Sequence, residues 1–505
     1  MGKEQERGAG ILLPISSIPS PYGIGTLGDK AYEFVDLLVK SGQKYWQVLP
    51  VGPTSYGDSP YQSFSAFAGN PYFIDLDYLV GEGLLDRKEI TGIKWCNNPE
   101  YVEYDVIYRN RFKVLFKAFK RSEHKENADY IRFVENNSDW LLDYALFMAV
   151  KADHDNVEWQ KWEDDIKFRR KKAVDAYKKK LSVQIDFYMF LQFKFYEQWM
   201  ALKKYANDRG VRIIGDIPIY VALDSADVWT NPSQFVLDRE LKPVNVAGCP
   251  PDMFSSYGQK WGNPIYDWKV MEETDFAWWK RRMAASAALY DVIRIDHFIG
   301  IVRYYNIPLD KDPADGFYED GPGIKLIKAI DSVTGNTGVI AEDLGVVIPK
   351  VTKLMQKCGY PGMKVIEFAF DGSVDNVYLP HNHGRNYVTY LGTHDNDTLQ
   401  GYIDTLSRKN MKFLKEYLGI RYKKDAADAL IRCAFASTSD TVIIQMQDIL
   451  KKDTTARMNI PSTLGCNWKW RLCDGEFSEE IVSKLKNLTV LYDRCGIKNY
   501  FKREE

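Results

Sequence analysis

The chain has 505 residues, and its 67 Lys and Arg against 69 Asp and Glu give a formal net charge of −2. This balance excludes a global field that would attract nucleic acid or an anionic membrane, and it favours an uncharged partner. Seven scattered cysteines without a CxxC pair exclude a disulfide framework and a cysteine zinc site. No signal-peptide pattern and no apolar run of about 18 residues are present, so we expect a reduced, soluble, cytoplasmic protein.

Eight short apolar, β-branched runs predict buried parallel strands. In chain order they are 10–15, 45–49, 211–217, 291–295, 338–341, 363–370, 387–391 and 441–445. Apolar residues recur at helical spacing over 29–40, after the first run, and over 187–202, before the third. Because strands and helices alternate, the sequence predicts an α/β fold, a single (β/α)8 TIM barrel over residues 1–505.

Two gaps between these strands exceed the length of one crossover helix and predict insertions. The first, 53–185, lies between strands 2 and 3 and is expected to be a mainly helical subdomain. Its basic stretch 167–180 could bind nucleic acid, but flanking acids and the balanced total charge favour a solvated helix face. The second, 222–290, contains the Gly-, Pro- and Ser-rich text PPDMFSSYGQKWGNP and is expected to form a loop or subdomain at the barrel mouth.

Three acids lie where predicted strands end, namely Asp296, Glu342 and Asp395. Barrel enzymes display catalytic groups at the carboxyl ends of their strands. Glycosidic bond chemistry needs a nucleophilic carboxylate, a protonated acid and further polar groups that hold a strained sugar ring. Each acid could instead cap the helix that follows its strand. Three such acids converging at one mouth favour the catalytic interpretation, and the chain's aromatic share of 14 % offers platforms for sugar rings.

The neighbours of these acids refine their expected roles. Alternation along a strand places Arg294 and Asp296 on the same side, so the cation can stabilise a negative nucleophile, although a purely structural ion pair remains possible. Glu342 would need a raised pKa to donate a proton, and Asp296 as a like charge could raise it. Asp343 is a rival, because only one of two successive residues can face inward. The polar cluster 394–397 could hold a metal, but binding of sugar hydroxyls fits better.

We predict no metal and no cofactor. His381 and His383 form an HxH pair without a third ligand and are expected to be exposed loop residues. The sequence contains no P-loop and no GxSxG elbow.

Longer motifs are distributed along almost the whole chain. They are SPYGIGTLGD (20–29), GDSPYQSFSAFAGNPYFIDL (57–76), GDIPIYVALDSADVW (215–229), PPDMFSSYGQKWGNP (250–264), RIDHF (294–298), AEDLG (341–345), PGMKV (361–365), GTHDNDT (392–398) and ARMNIP (456–461). With these motifs the chain resembles the amylomaltase family, the 4-α-glucanotransferases or disproportionating enzymes. It departs from the usual family pattern at Ile299, Ser462 and Cys466, which flank the three acids.

The resemblance implies that Asp296 is the nucleophile, Glu342 the acid/base and Asp395 the transition-state stabiliser, on a barrel without a C-terminal β-sandwich. It also implies that the 222–290 insertion covers acceptor subsites. The residues expected to contact substrate are Tyr61, Asp216, Arg294, His297, His394 and Asn467, with Phe254, Gln259 and Trp261 in the covering loop and Tyr56 at a more remote glucan site.

The implied activity is transfer of α-1,4-glucan segments between malto-oligosaccharides, or to glucose, by a retaining double displacement. Expected partners are malto-oligosaccharides, maltose, glucose and glucans derived from starch or glycogen, with no nucleic acid and no membrane. The alternatives are an α-glucan hydrolase that uses the same acids and a catalytically weak glucan-binding protein. The oligomeric state stays open.

Overall fold

The computed structural model describes residues 7–55, 57–251, 257–345 and 348–496. Its strands are β1 (Gly8–Leu12), β2 (Tyr45–Gln47), β3 (Arg212–Pro218), β4 (Asn245–Cys249), β5 (Gln259–Pro264), β6 (Val292–Asp296), β7 (Arg303–Pro308), β8 (Phe317–Asp320), β9 (Gly338–Ala341), β10 (Gly362–Val365), β11 (Tyr387–Tyr390) and β12 (Thr441–Gln445). They form an eight-stranded sheet and a four-stranded sheet.

The eight-stranded sheet has the order β10-β11-β12-β1-β2-β3-β6-β9, and all its pairs are parallel. Ala341 at the end of β9 donates its backbone N–H to the carbonyl of Pro361, just before β10, at 2.9 Å. The two end strands therefore meet, and the sheet closes into the predicted (β/α)8 barrel, with each of the eight predicted runs supplying one strand. The run 363–370 is a shorter strand than expected, because Ile366–Phe368 turns into a 3-10 helix.

The barrel interior is a filled core. One buried cluster takes apolar side chains from all eight strands: Leu12, Tyr45, Ile214, Val292, Ile340, Met363, Val365, Val388, Tyr390 and Ile443. Side chains that alternate inward and outward along each strand explain this arrangement. The polar residues that end the strands are consequently left at the carboxyl-terminal mouth.

The helices are α1 (Asp29–Lys40), α2 (Leu76–Gly81), α3 (Arg87–Thr91), α4 (Tyr104–Arg121), α5 (Ala128–Asn136), α6 (Leu141–Asp153), α7 (Asp164–Lys167), α8 (Lys171–Lys180), α9 (Ser182–Asp208), α10 (Ala226–Thr230), α11 (Trp268–Glu273), α12 (Ala277–Leu289), α13 (Ile324–Thr334), α14 (Pro349–Cys358), α15 (Leu399–Thr405), α16 (Arg408–Leu418), α17 (Ala426–Ala436), α18 (Met446–Ile449) and α19 (Glu479–Leu491). Local sequence explains many of their ends. In α14, Pro349 begins the helix and Gly359, at φ 72°, ends it in the left-handed conformation.

Eight helices, α2 to α9, lie between β2 and β3. The predicted stripe over 187–202 is buried in α9, a continuous helix of 27 residues. Trp199 on α9 donates its indole N–H to the carbonyl of Leu289 at 3.1 Å, which ties this helix to α12. The expected boundary at residue 185 therefore falls inside a helix, and the partition of 53–185 as a subdomain stays a prediction. The basic α8 buries none of its side chains.

A second sheet, antiparallel and with the order β5-β4-β7-β8, was not predicted. Two of its strands follow residue 290 and so lie outside the expected 222–290 insertion, which itself contains α10, β4, β5, α11 and α12. The sequence signal for the strands of this sheet was weak, because β5 has the sequence QKWGNP and every residue of β8 is exposed. After β12, described residues 446–496 form helices α18 and α19 and no strand. Among the described residues, no helix has the length and apolarity that a membrane span needs.

Candidate active site

The three acids lie at one mouth of the barrel. Asp296 is the last residue of β6, Glu342 follows β9 directly, and Asp395 lies in the turn after β11. Strands β6 and β9 are neighbours, with Ile295 opposite Ala341. The Glu342 carboxylate accepts a hydrogen bond of 2.8 Å from the backbone N–H of His297, the residue after Asp296. The sequence therefore brings Asp296 and Glu342 together, because carboxyl ends of adjacent parallel strands share an edge.

A buried ion-pair chain runs from β3 to β6. Arg294 Nη1 lies 2.7 Å from Oδ1 and 2.6 Å from Oδ2 of Asp216, and Arg294 Nη2 lies 2.9 Å from Oδ1 of Asp296. Burial lowers the pKa of Arg294, but the charges of Asp216 and Asp296 outweigh it and raise that pKa well above its ordinary value. Burial raises the pKa of Asp216, and Arg294 counteracts part of the rise. Arg294 thus presents a fixed positive charge to Asp296.

Glu342 has an environment that favours its protonated form. Its side chain is buried and accepts hydrogen bonds from the backbone N–H groups of His297 at 2.8 Å and Leu344 at 2.7 Å. Burial and the charge of Asp296 outweigh Arg294 and these hydrogen bonds, and they raise the pKa of Glu342 to about 8. A carboxyl group with that pKa is mostly protonated at neutral pH.

Asp343 points in a different direction from Glu342. Its Oδ1 accepts a hydrogen bond of 2.8 Å from the backbone N–H of Met363 on β10. A Cβ atom on Gly362 would lie 2.6 Å from Asp343 Oδ2, so the carboxylate packs against that strand. Of the two rivals, Glu342 is the one whose carboxylate lies beside Asp296.

Asp395 lies beside a histidine and an aromatic group. His394 Nε2 is 3.3 Å from Oδ2 of Asp395, and the His394 ring stacks on Tyr61 with a centroid distance of 5.0 Å. The Tyr61 hydroxyl donates to Asp216 at 2.9 Å, which joins this group to the Arg294 ion pair. Partial desolvation at the mouth opposes ionisation of Asp395, but His394 and a hydrogen bond from Asn459 lower its pKa to about 2. Asp395 is therefore ionised where Glu342 is protonated.

Part of the expected substrate-binding set lies on β5, next to the acids. The Trp261 ring meets His297 edge to face with a centroid distance of 4.8 Å, and its Nε1 donates to Gln259 Oε1 at 3.1 Å. The Asn467 amide is bonded inside its own loop, to the carbonyl of Thr463 at 3.0 Å. Phe254 and Tyr56 lie outside the described residues. The structure thus gathers Gln259, Trp261 and His297 at the mouth, and the substrate contacts of all six residues stay predictions.

A family model described as 4-alpha-glucanotransferase matches residues 13–475. The chain belongs to this family. A 4-alpha-glucanotransferase of Clostridium butyricum is 46 % identical over 486 residues, which cover 96 % of this chain and 100 % of the relative. One from Thermus thermophilus is 43 % identical over 504 residues, which cover 97 % of this chain and 100 % of the relative.

A solved structure gives the same result for the fold. The amylomaltase of Streptococcus agalactiae, in complex with acarbose, is 41 % identical and superposes with a TM-score of 0.94, covering 97 % of this chain and 100 % of that one. The resemblance inferred from the motifs is therefore confirmed, and the enzyme is a glycosyltransferase of the 4-alpha-glucanotransferase type.

Sequence reasoning missed three residues of this 4-alpha-glucanotransferase site. Asn459 Nδ2 donates to Asp395 Oδ1 at 2.6 Å, and Arg457 Nη2 donates to the Asp395 carbonyl at 2.7 Å. The Trp468 ring lies 5.8 Å from Tyr61 between centroids. Asn459 and Arg457 belong to the quoted motif ARMNIP, which was a usable signal, but nothing in the text of that motif indicated which acid it would contact.

Two further clusters bear on metal binding. Within the described ranges, Glu100, Cys473 and Glu476 are a set of potential ligands whose donor atoms lie within 4.8 Å of one another. The Lys452 ammonium lies 3.3 Å from Glu100 and 2.5 Å from Glu476, so a protein cation already pairs with both carboxylates of this set. The expectation for His383 was wrong, because it is buried and its ring nitrogens lie 3.0 Å from Thr389 Oγ1 and 2.9 Å from the carbonyl of Tyr378.

Proposed function

We propose that this 4-alpha-glucanotransferase moves α-1,4-glucan segments between malto-oligosaccharides, or to glucose, by a retaining double displacement. In this proposal Asp296 is the nucleophile, Glu342 the general acid and base, and Asp395 the transition-state stabiliser. The observation that best supports this proposal concerns two neighbouring carboxyl groups. Glu342, with a pKa of about 8, is hydrogen-bonded to the residue that follows Asp296, and Arg294 pairs with Asp296. One protonated and one charge-paired carboxyl group side by side suit a retaining mechanism.

In the first step, an Asp296 carboxylate oxygen attacks the anomeric carbon of the donor sugar. The bond from that carbon to the glycosidic oxygen breaks, and Glu342 gives its proton to the leaving oxygen. The part of the donor beyond the broken bond leaves with a free 4-hydroxyl, and the rest of the donor remains as an ester on Asp296. Protonated Glu342 is available for this step because burial and the Asp296 charge raise its pKa.

In the second step, the 4-hydroxyl of an acceptor glucan attacks the same anomeric carbon. Glu342, now a carboxylate, takes the hydroxyl proton, and the ester bond to Asp296 breaks. Two inversions return the α configuration, and no net glycosidic bond is lost. Esterification of Asp296 removes the like charge beside Glu342, so its pKa falls while it acts as a base.

Charge builds on the sugar ring in both transition states. The ionised Asp395 can accept hydrogen bonds from ring hydroxyls, and such bonds strengthen as the oxocarbenium ion forms. The Asp395 side chain is 45 % exposed, so it is open to a ligand at the mouth. Asp216, Tyr61, Arg294 and His394 form the charged and aromatic wall next to it.

Transfer requires a sugar acceptor to compete with water for the ester. Trp261 packs edge to face on His297, the residue after Asp296, and is well placed to stack on an acceptor ring. An acceptor held there would exclude water and be oriented for attack. The amylomaltase of Streptococcus agalactiae, which this chain resembles, was solved with acarbose, and acarbose is therefore a suitable probe of this mouth.

The test is incubation with maltotriose alone. Transfer yields glucose and maltopentaose with a constant number of reducing ends, whereas hydrolysis yields glucose and maltose with a rising number. Glu342→Gln should lower the rate with maltotriose about 10²- to 10⁴-fold but should still release fluoride from an α-maltosyl fluoride in the first step, because that leaving group needs no proton. Asp343→Asn is the matched control and should keep the parent rate. Equal losses of the first-step rate of Glu342→Gln with both donors would contradict the acid role.

A further inference from the structure

Asn459 makes a side-chain contact with Asp395 that the proposed chemistry has not used. Its Nδ2 donates to Asp395 Oδ1 at 2.6 Å, and His394 Nε2 lies 3.3 Å from the other carboxylate oxygen. A carboxylate held at both oxygens has a fixed rotation about its terminal bond. The donor is an amide of the segment after α18, 64 positions further along the chain.

The backbone around this contact is tied independently of the Asn459 side chain. Arg457 Nη2 donates to the Asp395 carbonyl at 2.7 Å, and Arg457 Nε donates to the Asn459 carbonyl at 2.8 Å. The Asn459 backbone N–H donates to the His394 carbonyl at 3.1 Å. These bonds survive a change of the Asn459 side chain, so a substitution there removes chiefly the amide that touches Asp395.

The turn that carries Asp395 is also held from within. Asn396 Oδ1 accepts from the backbone N–H of Thr393 at 2.9 Å, and Thr393 Oγ1 accepts from the Asp395 N–H at 3.4 Å. With the main chain fixed, the remaining freedom of Asp395 is rotation of its side chain. The Asn459 amide opposes that rotation.

We propose that Asn459 is a positioning residue, which holds the Asp395 carboxylate in the rotation that faces the sugar ring. The inference rests on the proposed role of Asp395 and deepens it. Without the amide, the carboxylate can turn toward His394, whose Nε2 lies 3.3 Å from its Oδ2, and its oxygens move away from the ring hydroxyls. The amide also favours the ionised form, adding to the effect of His394 on the pKa of Asp395.

The predicted kinetic effect falls on kcat. Hydrogen bonds from Asp395 to the ring strengthen in the transition state, so loss of their alignment weakens the transition state more than the ground state. Asn459→Ala should lower kcat about 10- to 100-fold, the range for one hydrogen bond to a charged group, and change KM less than about 3-fold. Asn459→Asp keeps the shape but removes the donor and adds a like charge, so its loss should be at least as large.

The test is a double-mutant cycle measured with α-maltosyl fluoride as donor and maltose as acceptor. Asn459→Ala is made in the parent and in Asp395→Asn, with melting temperatures recorded for each variant. If Asn459 acts through Asp395, Asn459→Ala lowers kcat by less than about 2-fold in the Asp395→Asn background. Asn207→Ala is the control, because Asn207 Nδ2 donates to Asp291 Oδ2 at 2.8 Å just before β6, at the opposite end of the barrel. This control should keep the parent kcat.

Each other result has a distinct meaning. Equal losses in both backgrounds, or parent-like kcat in Asn459→Asp, would overturn the positioning role while Asp395 keeps its own. If Asp395→Asn alone retains the parent rate, the proposed function of Asp395 fails first. If Asn459→Ala melts too low to assay, Asn459→Asp, with its nearly unchanged side-chain volume, takes its place in the cycle, and equal losses in both backgrounds again overturn the role.

Discussion

Replacing Glu342 by Gln should stabilise the enzyme, and the gain should grow with pH. The Glu342 pKa is about 8 in the folded protein against an ordinary value of 4.5. The folded state therefore binds this proton more tightly than the unfolded state does. Because the folded pKa is raised, the contribution of Glu342 to stability is fully present below pH 4.5 and is lost as pH rises to 8. Gln does not titrate in this range, so the variant does not lose this contribution to stability.

The magnitude follows from the two pKa values. One pKa unit corresponds to about 1.4 kcal/mol, so the parent loses about 3 kcal/mol of unfolding free energy between pH 4.5 and pH 7. The loss reaches about 5 kcal/mol by pH 8 and then stops. Glu342 is only 8 % exposed, so solvent screens this cost little. For a chain of 505 residues, an unfolding entropy of about 2.1 cal/mol/K per residue converts 1 kcal/mol to roughly 1 °C.

The assay is thermal unfolding of parent and Glu342→Gln at about pH 5, 7 and 9. The melting temperature of the variant relative to the parent should rise by about 3 °C between pH 5 and pH 7 and by about 4 °C between pH 5 and pH 9. The backbone hydrogen bond that the Gln Nε2 cannot accept is lost at every pH and cancels in this difference. Other titrating groups cancel in the difference. Glu135→Gln, on the exposed end of α5, is the matched control and should show less than about 0.5 kcal/mol at every pH. A gain that is independent of pH, or a lower melting temperature at pH 9, would refute the assigned environment of Glu342.

The remaining predictions concern activity. Asp296→Asn should abolish turnover with glucan binding retained, because it removes the nucleophile at nearly constant volume; near-normal transfer by this variant would contradict the assignment. The parent kcat/KM should fall about tenfold per pH unit above about pH 8, as Glu342 loses its proton; a flat profile to pH 10 would exclude Glu342 as the acid. Trp261→Ala should raise the share of hydrolysis over transfer at little cost in melting temperature; an unaltered ratio with a low melting temperature would make Trp261 a packing residue. Exhaustive chelation should leave the rate unchanged, since Lys452 already pairs with both Glu100 and Glu476; activity lost and then restored by one divalent ion would show a metal requirement.

The barrel was predictable because its strands leave a strong local signal. Runs such as Val292–Asp296 are β-branched and buried on both faces, and their alternation indicates which residues face inward. The carboxyl ends of parallel strands then meet by geometry, which places Asp296 beside Glu342 without knowledge of loop structure. The second sheet lacked this signal, since β8 is wholly exposed and β5 contains Gly262 at φ 78°.

The contacts behind the acids could not be predicted in the same way. Asn459 reaches Asp395 across 64 positions, and its segment has no regular secondary structure from which a side-chain direction could be inferred. His383 shows the same difficulty, because its loop text suggested exposure whereas Thr389 and the Tyr378 carbonyl enclose it. Sequence patterns indicate which face of an element is buried, but they do not indicate which distant loop covers it.

The division of labour among the acids depends on their neighbours, both adjacent and distant in sequence. Glu342 and Asp395 both follow barrel strands, and Asp395 differs in being preceded directly by a histidine, His394. Glu342 lies beside the charge of Asp296 and accepts backbone hydrogen bonds from His297 and Leu344, but burial and the Asp296 charge prevail and its pKa rises to about 8. Asp395 lies beside His394 and accepts the Asn459 amide, so its pKa falls to about 2. Exchanging these surroundings would exchange the protonation states, and for this reason the neighbours, as much as the carboxyl groups, determine the chemistry at this mouth.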